Sequence, residues 1–270
     1  VFDVCHMGRL RLSGRGATGF LSRVLCRRLS DLAPGRIRYA LALADDGTVE
    51  DDVLAGREGE DAWHVVVNAG NRAKLLDLWR PLLPDGVALR DDSGREGMIA
   101  VQGPQALTLL AGLGLDASGL KRYGFRDLTW QDAAVRLGRT GYTGEDGAEL
   151  YAPTERIAAL WQAVVAAGAV PCGLGARDTL RTEAGLPLYG NELDRGVTLV
   201  EAGLGWAVDP AGAFIGAAAV QRQLRAGTAR QLVGPWGHQA RGRARSVAPI
   251  SHHEPERLLG PLSPHCCKDG

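Results

Sequence analysis

Apolar residues recur along this chain with two periods, and each switch between them marks an element. Ala17, Phe20, Leu21, Val24 and Leu25 stand at helical spacing and predict a helix over 16–28. Ile37–Leu43 and the apolar run that follows Asp45-Asp46-Gly47 read as a hairpin, because an Asp-Gly step between two such runs favours a tight turn. "AWHVVV" is a third strand, Asn68–Asn71 a turn, and Leu75, Leu76 and Trp79 share one face of the helix after it. "GVALRDD" adds a short strand. Residues 11–94 thus run strand–helix–strand–strand–helix–strand, an α+β unit.

A second block opens on the strand in "GMIAVQ". The Gly103-Pro104 step breaks it and places proline at the first position of the next helix. "FRDLTW", "AAVRLGRTGYTG" and "GAELYAP" read as three strands. Ile157, Leu160, Trp161, Val164 and Val165 line one side of a helix, and a further helix starts near Gly175 and ends by Gly185. From Pro235 the pattern dissolves: four of the six histidines and five of the thirteen prolines crowd into a stretch with no period of 2 or 3.6. Residues 235–270 are therefore expected to be a disordered or misread tail, and the abrupt first strand suggests a fragment.

Composition narrows the function classes. With 31 basic and 31 acidic residues there is no charge excess to draw a nucleic acid, and no apolar run reaches the ~18 residues of a membrane span. Cys5, Cys26, Cys172, Cys266 and Cys267 are an odd set without metal-ligand spacing, which favours a reducing compartment. His252, His253, His265, Cys266 and Cys267 match no standard metal set, and no metal site is expected.

Two carboxylates stand out by position. Asp51 and Asp52 are adjacent in a strand, so alternation points them to opposite faces and gives them different roles. Glu149 lies out of phase with Ala148 and Leu150 and can face a cavity while they face a core. A solvated aspartate near a turn and an exposed strand glutamate are the plain alternatives. The run "GRTGYTGEDGAEL" around Glu149 reads as a glycine-rich turn, with Glu145 and Asp146 belonging to the turn itself.

Five stretches, "FDVCHMG", "DDGTVEDDVL", "VVVNAGN", "RTGYTGEDGAEL" and "GLGARDTLRTEAGLPLYGNEL", in this order, resemble the glycine-cleavage T-protein family of tetrahydrofolate-dependent aminomethyltransferases. "LGWAVD" and "FIGAAAVQRQ" add weaker matches, and the resemblance spans residues 1–234. It implies a multi-domain α+β fold: residues 1–10 with 95–190 as a discontinuous folate-binding domain, 11–94 as a second domain carrying Asp52, and 191–234 as the start of a C-terminal β-barrel. It also implies transfer of a methylene carbon from the aminomethyl-lipoyl arm of the H-protein to tetrahydrofolate, with release of ammonia, in the cytoplasm or a mitochondrial matrix. By the same resemblance Asp52 is the catalytic carboxylate and Glu149 grips the pterin. Arg177 meets the glutamyl carboxylates, and Tyr39, Asn68, Tyr142, Tyr189 and Trp206 lie near the folate or the lipoyl entrance. The physical sense is direct: a carboxylate takes paired N–H donors in bidentate fashion, and flat rings stack. Each aromatic also fits plain core packing, Arg177 also fits a surface pair with Asp178 or Glu183, and His6 is assigned no catalytic role. Cys5 departs from the family's usual serine, and Ala55-Gly56 from its bulkier strand residues. Sister readings are the folate domains of sarcosine or dimethylglycine oxidases, a sulfoniopropionate demethylase, a non-catalytic folate-binding fragment, and the folate-binding proteins that support iron–sulfur proteins. The last carry a Lys-Gly-Cys-Tyr motif where this chain has "PLYGNELD".

Overall fold

Strand alternation sorts the apolar residues into three layers. The computed structural model describes residues 1–233 and, as backbone, 248–251. Its first antiparallel sheet has the order β1 (Phe2–Asp3), β7 (Glu96–Gln102), β10 (Gly147–Pro153), β9 (Ala133–Gly138), β8 (Phe125–Trp130). The second has the order β3 (Ile37–Leu43), β4 (Val49–Gly59), β5 (Ala62–Val67), β2 (Gly8–Ser13), β6 (Ala88–Asp91). Val65 and Val67 of β5 pack under α1 (Ala17–Val24) and α2 (Arg72–Trp79), against Phe20, Leu21, Leu75 and Trp79. Ile99 and Val101 of β7 pack under α3 (Ala106–Gly112) and α4 (Thr154–Ala166), against Leu110, Leu160 and Val164. The residues of opposite phase, Val66, Met98, Ala100 and Tyr151, form a third cluster with Phe2 and Val4 between the two sheets. Each sheet is therefore covered by helices on one side and meets the other sheet on the second.

A charged seam crosses the same junction. Glu58 of β4 receives guanidinium bonds from Arg11 of β2 and Arg136 of β9. Arg11 also reaches Glu96 at 2.8 Å, and His64 Nε2 stands 2.9 Å from the second Glu96 oxygen, without the alignment of a hydrogen bond. Burial alone would raise Glu96, but His64 and Arg11 more than reverse it and hold its carboxyl at about 2.

Residues 193–233 wrap the turn between β3 and β4. Leu193, Leu199 and Leu204 join Leu41, Leu43 and Val49 in one cluster, and Val49 N–H donates to Val197 O at 3.1 Å. After α5 (Leu174–Glu183) the chain forms α6 (Ala217–Ala226) and a two-stranded ribbon of β11 (Arg230–Val233) with β12 (Ala248–Ser251). Four residues of the stretch expected to be without regular structure thus pair as a strand. The His252–Cys267 group lies outside the described residues.

Three boundaries differ from the periodic reading. α1 stops at Val24, because Leu25 turns extended (φ −120°, ψ 140°) and Cys26 N–H donates to Leu41 O at 2.9 Å, a strand contact that replaces further helix. α3 starts at Ala106 after a turn closed by Ala106 N–H on Gly103 O, so Pro104 sits in the turn and not at the first helical position. β2 runs unbroken from Gly8 to Ser13, across the boundary placed at residue 10. Among the described residues no helix is long and apolar enough to cross a membrane.

Candidate active site

Where the two sheets and the 185–206 segment meet, they enclose a cavity of about 530 Å³. β4 contributes Asp52, β10 Glu149, β3 Tyr39 and α5 Arg177, while Asn68, Tyr142 and Tyr189 come from the connecting segments. All eight residues singled out from the sequence, Trp206 included, line this one space, together with His6.

Asp51 and Asp52 obey strand alternation in burial. Asp51 is 0% exposed, whereas Asp52 looks into the cavity. Asn68, placed where β5 ends beside β4, ties them together all the same. Its Nδ2 donates to Asp51 Oδ1 at 2.8 Å and to Asp52 Oδ1 at 2.7 Å, and its backbone N–H donates to Asp51 Oδ2 at 3.1 Å. Asn71 Nδ2 adds a third donor to Asp51 at 2.6 Å. Burial and the neighbouring Asp52 raise Asp51 to about 7, against the pull of those donors. Burial raises Asp52 as well, and the Asn68 amide opposes it. Tyr39 Oη is buried and finds no partner of hydrogen-bond geometry among the described residues; burial first, then the charge of Asp52, push its pKa well up.

Glu149 pairs in register with Gly138 of β9 and Ala100 of β7 and is 3% exposed. Thr140 Oγ1 donates to Glu149 Oε2 at 2.6 Å, and Tyr151 Oη approaches the same oxygen at 3.4 Å. Oε1 receives no hydrogen bond from the described residues. The turn that presents it uses its glycines in two ways. Gly144 has φ +75°, but Gly141 and Gly147 are there for space: a Cβ would come within 1.9 Å of the Gln102 side chain and 2.3 Å of Val101 O, respectively. Asp146 is held by Arg139 at 2.6 Å and Glu145 is exposed, so both stay in the turn.

Arg177 lies 4.8 Å over the Tyr142 ring, with Nη1 buried and without a hydrogen-bond partner among the described residues. Tyr142 Oη donates to Pro187 O, and burial and Asp52 raise its pKa. Tyr39 stacks on Trp206 at 5.8 Å and 21°, and Arg27 lies 5.0 Å over the outer side of Trp206. Lys74 donates to Tyr189 Oη at 2.9 Å and pairs with Glu50 at 3.2 Å. His6 is exposed at the rim. Of the two carboxylates considered from sequence as surface partners of Arg177, Asp178 pairs with Arg181 at 2.8 Å.

Sequence reasoning passed over Thr140, Asn71, Lys74, Arg181 and Glu192. Thr140 could have been marked by its place in "RTGYTG", nine residues before Glu149. The others act across segments that no local period connects. Among the described residues no group of three or more His, Cys, Asp or Glu side chains is placed to hold a metal ion.

One central cavity of a two-sheet α+β protein thus gathers carboxylates from both sheets and a guanidinium nitrogen that has no partner among the described residues. The chain belongs to the family described as the GCVT N-terminal domain, whose model matches residues 1–211. It is 44% identical over 242 residues to an aminomethyltransferase of Geobacillus kaustophilus (strain HTA426), an alignment covering 87% of this chain and 66% of that one. It is 43% identical over 258 residues to an aminomethyltransferase of Rubrobacter xylanophilus (strain DSM 9941 / JCM 11954 / NBRC 16129 / PRD-1), covering 93% and 68%. The crystal structure of glycine cleavage system aminomethyltransferase T from Bartonella henselae superposes with a TM-score of 0.80 at 33% identity, covering 88% of this chain and 67% of that one. The chain spans about two thirds of the length of the relatives it matches.

Proposed function

We propose that this chain carries the folate-binding and carbon-transferring site of an aminomethyltransferase of the glycine cleavage system. The reaction moves the methylene carbon of an aminomethyl group from the lipoyl arm of the H-protein to tetrahydrofolate and frees ammonia. The observation that supports it most is Glu149: a buried carboxylate with one oxygen anchored by Thr140 and the other without a donor among the described residues, in the cavity that also receives Asp52. Such a group suits the adjacent N–H and amino donors of a pterin edge. The Arg177 nitrogen that has no partner among the described residues suits a carboxylate of the glutamyl tail.

Tetrahydrofolate, when bound, supplies the two nitrogens that take up the carbon. The chain's own part is to hold and to polarise. Glu149 orients the ring system. Asp52, kept in place by Asn68, stabilises the positive charge that develops at carbon and nitrogen, and accepts a folate N–H proton as the new bond forms. The stacked Tyr39 and Trp206 at one side and Tyr142 beneath Arg177 at the other restrict water around the reacting carbon. No covalent intermediate with the chain is needed.

This reading makes a lipoylated H-protein the partner and the cytoplasm the compartment in a bacterial host, in keeping with the bacterial relatives. The test is transfer itself: aminomethylated H-protein and tetrahydrofolate are mixed with the chain, and 5,10-methylene-tetrahydrofolate and ammonia are quantified together. The reading expects equal amounts of both. Folate binding without either product would reduce the chain to a binding module, and turnover of a free methylated amine would move it to the sister enzymes.

A further inference from the structure

Asp51 is fully buried beside the cavity and has no role so far. It makes three hydrogen bonds, and two of them go to Asn68: Nδ2 at 2.8 Å and the backbone N–H at 3.1 Å. Gripping one residue by both its main chain and its amide removes the freedom of that side chain to rotate. The amide's orientation then follows from chemistry. Both Oδ1 atoms facing Asn68 belong to carboxylates, at 2.8 Å and 2.7 Å, so the amide must show them its NH₂. With both N–H groups used in this way, the carbonyl Oδ1 is the only polar group Asn68 has left to offer a ligand.

We infer that Asp51 is a positioning residue that acts on Asp52 through Asn68: it locks the Asn68 amide, which aims one N–H at the Asp52 carboxylate and leaves an acceptor oxygen for the ligand. The inference rests on Asp52 being the group that acts on the ligand. Asn71, donating to the same Asp51 oxygen at 2.6 Å from the turn before α2, completes the clamp. The other titratable groups that act on Asp52 are Tyr39 from β3 and Tyr142 from the 139–146 segment, and among the described residues no cation forms an ion pair with its carboxylate. The rival account is purely structural, with Asp51 merely closing the turn into α2.

The two accounts part in a measurement that needs no turnover. Hydrogen exchange of the Asn68 side-chain amide, followed by ¹⁵N NMR, is slow if the lock exists. Asp51→Asn is isosteric but turns an NH₂ toward donors, and is expected to speed that exchange about tenfold or more while backbone exchange in β4 stays as it was. A parallel acceleration across β4 would show a structural closure only, and unchanged Asn68 exchange would overturn the lock. If Asp51→Asn fails to fold, Asn71→Ala removes one clamp donor and is read in the same way, with a smaller acceleration expected and none contradicting the proposal. In the transfer assay, Asp51→Asn should lower kcat about 10- to 100-fold with little change in the KM for tetrahydrofolate. That loss should shrink to under about threefold in an Asn68→Ala background, because the relay is already cut. A loss of equal size in both backgrounds would overturn action through Asn68. If the unaltered chain shows no transfer, the functional reading fails and the exchange experiment still decides the lock.

Discussion

Arg181 and Glu192 form an ion pair shut away from water, Nη1 to Oε2 at 2.6 Å, with side chains only 2% and 1% exposed. The segment that walls the cavity hangs from it. Leu188 N–H donates to the same Glu192 oxygen at 2.9 Å, and Arg181 reaches Leu186 O at 3.3 Å. Leu186, Pro187, Leu188 and Tyr189 all face the cavity, so the pair holds one side of the site in shape.

Breaking that pair should therefore act on stability and on the ligand together. Arg181→Met leaves a buried carboxylate without its cation and is expected to cost about 3–5 kcal/mol in denaturant unfolding. Adding Glu192→Leu should recover most of that, short of the roughly 1–3 kcal/mol for the orphaned Leu188 N–H. A single substitution that costs nothing would show that the pair does not hold the wall.

Asp52 carries the chemistry in this account, and Glu149 the grip. Asp52→Asn keeps the size of the side chain and removes its charge, so transfer should fall by about 10²-fold or more while tetrahydrofolate binding stays nearly unchanged. Stopped-flow transfer and equilibrium binding on one preparation separate the two. An equal loss of both would make Asp52 a binding residue.

The seam between the sheets predicts an acid limb. Glu96 has a folded pKa of about 2, below its ordinary 4.5, so its contribution is fully present above pH ~4.5 and is lost as pH falls toward 2. Glu96→Gln should lower stability near neutral pH by about 3 kcal/mol and flatten the stability curve across that window. Chemical unfolding at a series of pH values checks both. Parallel curves for the two proteins would contradict the assignment.

Much of this was legible in residue order, for identifiable reasons. Glu149 could be picked out because Ala148 and Leu150 around it enter the core, and alternation leaves it only the other face. The helix at 154–166 was plain from its apolar stripe, with Leu160 and Val164 buried as that stripe requires. What stayed hidden depends on contacts between distant segments. Cys26 ends α1 early because Leu41 offers its carbonyl, and nothing near Cys26 announces that. Asn68 couples two aspartates that alternation alone holds apart, because the end of one strand lies beside the middle of another. Arg181 looks like any charged helix residue until Glu192 is seen to fold back over it.

The most direct test of the site is calorimetric titration of the chain with tetrahydrofolate, beside its Glu149→Gln variant. Gln keeps the shape of the side chain but carries no charge and one acceptor oxygen in place of two, so the contact to the pterin edge loses its charge-assisted strength. The account predicts one binding site per chain and an affinity about 10- to 100-fold weaker in the variant, with thermal stability retained. No binding by the unaltered chain, or equal affinity in the two proteins, would contradict it.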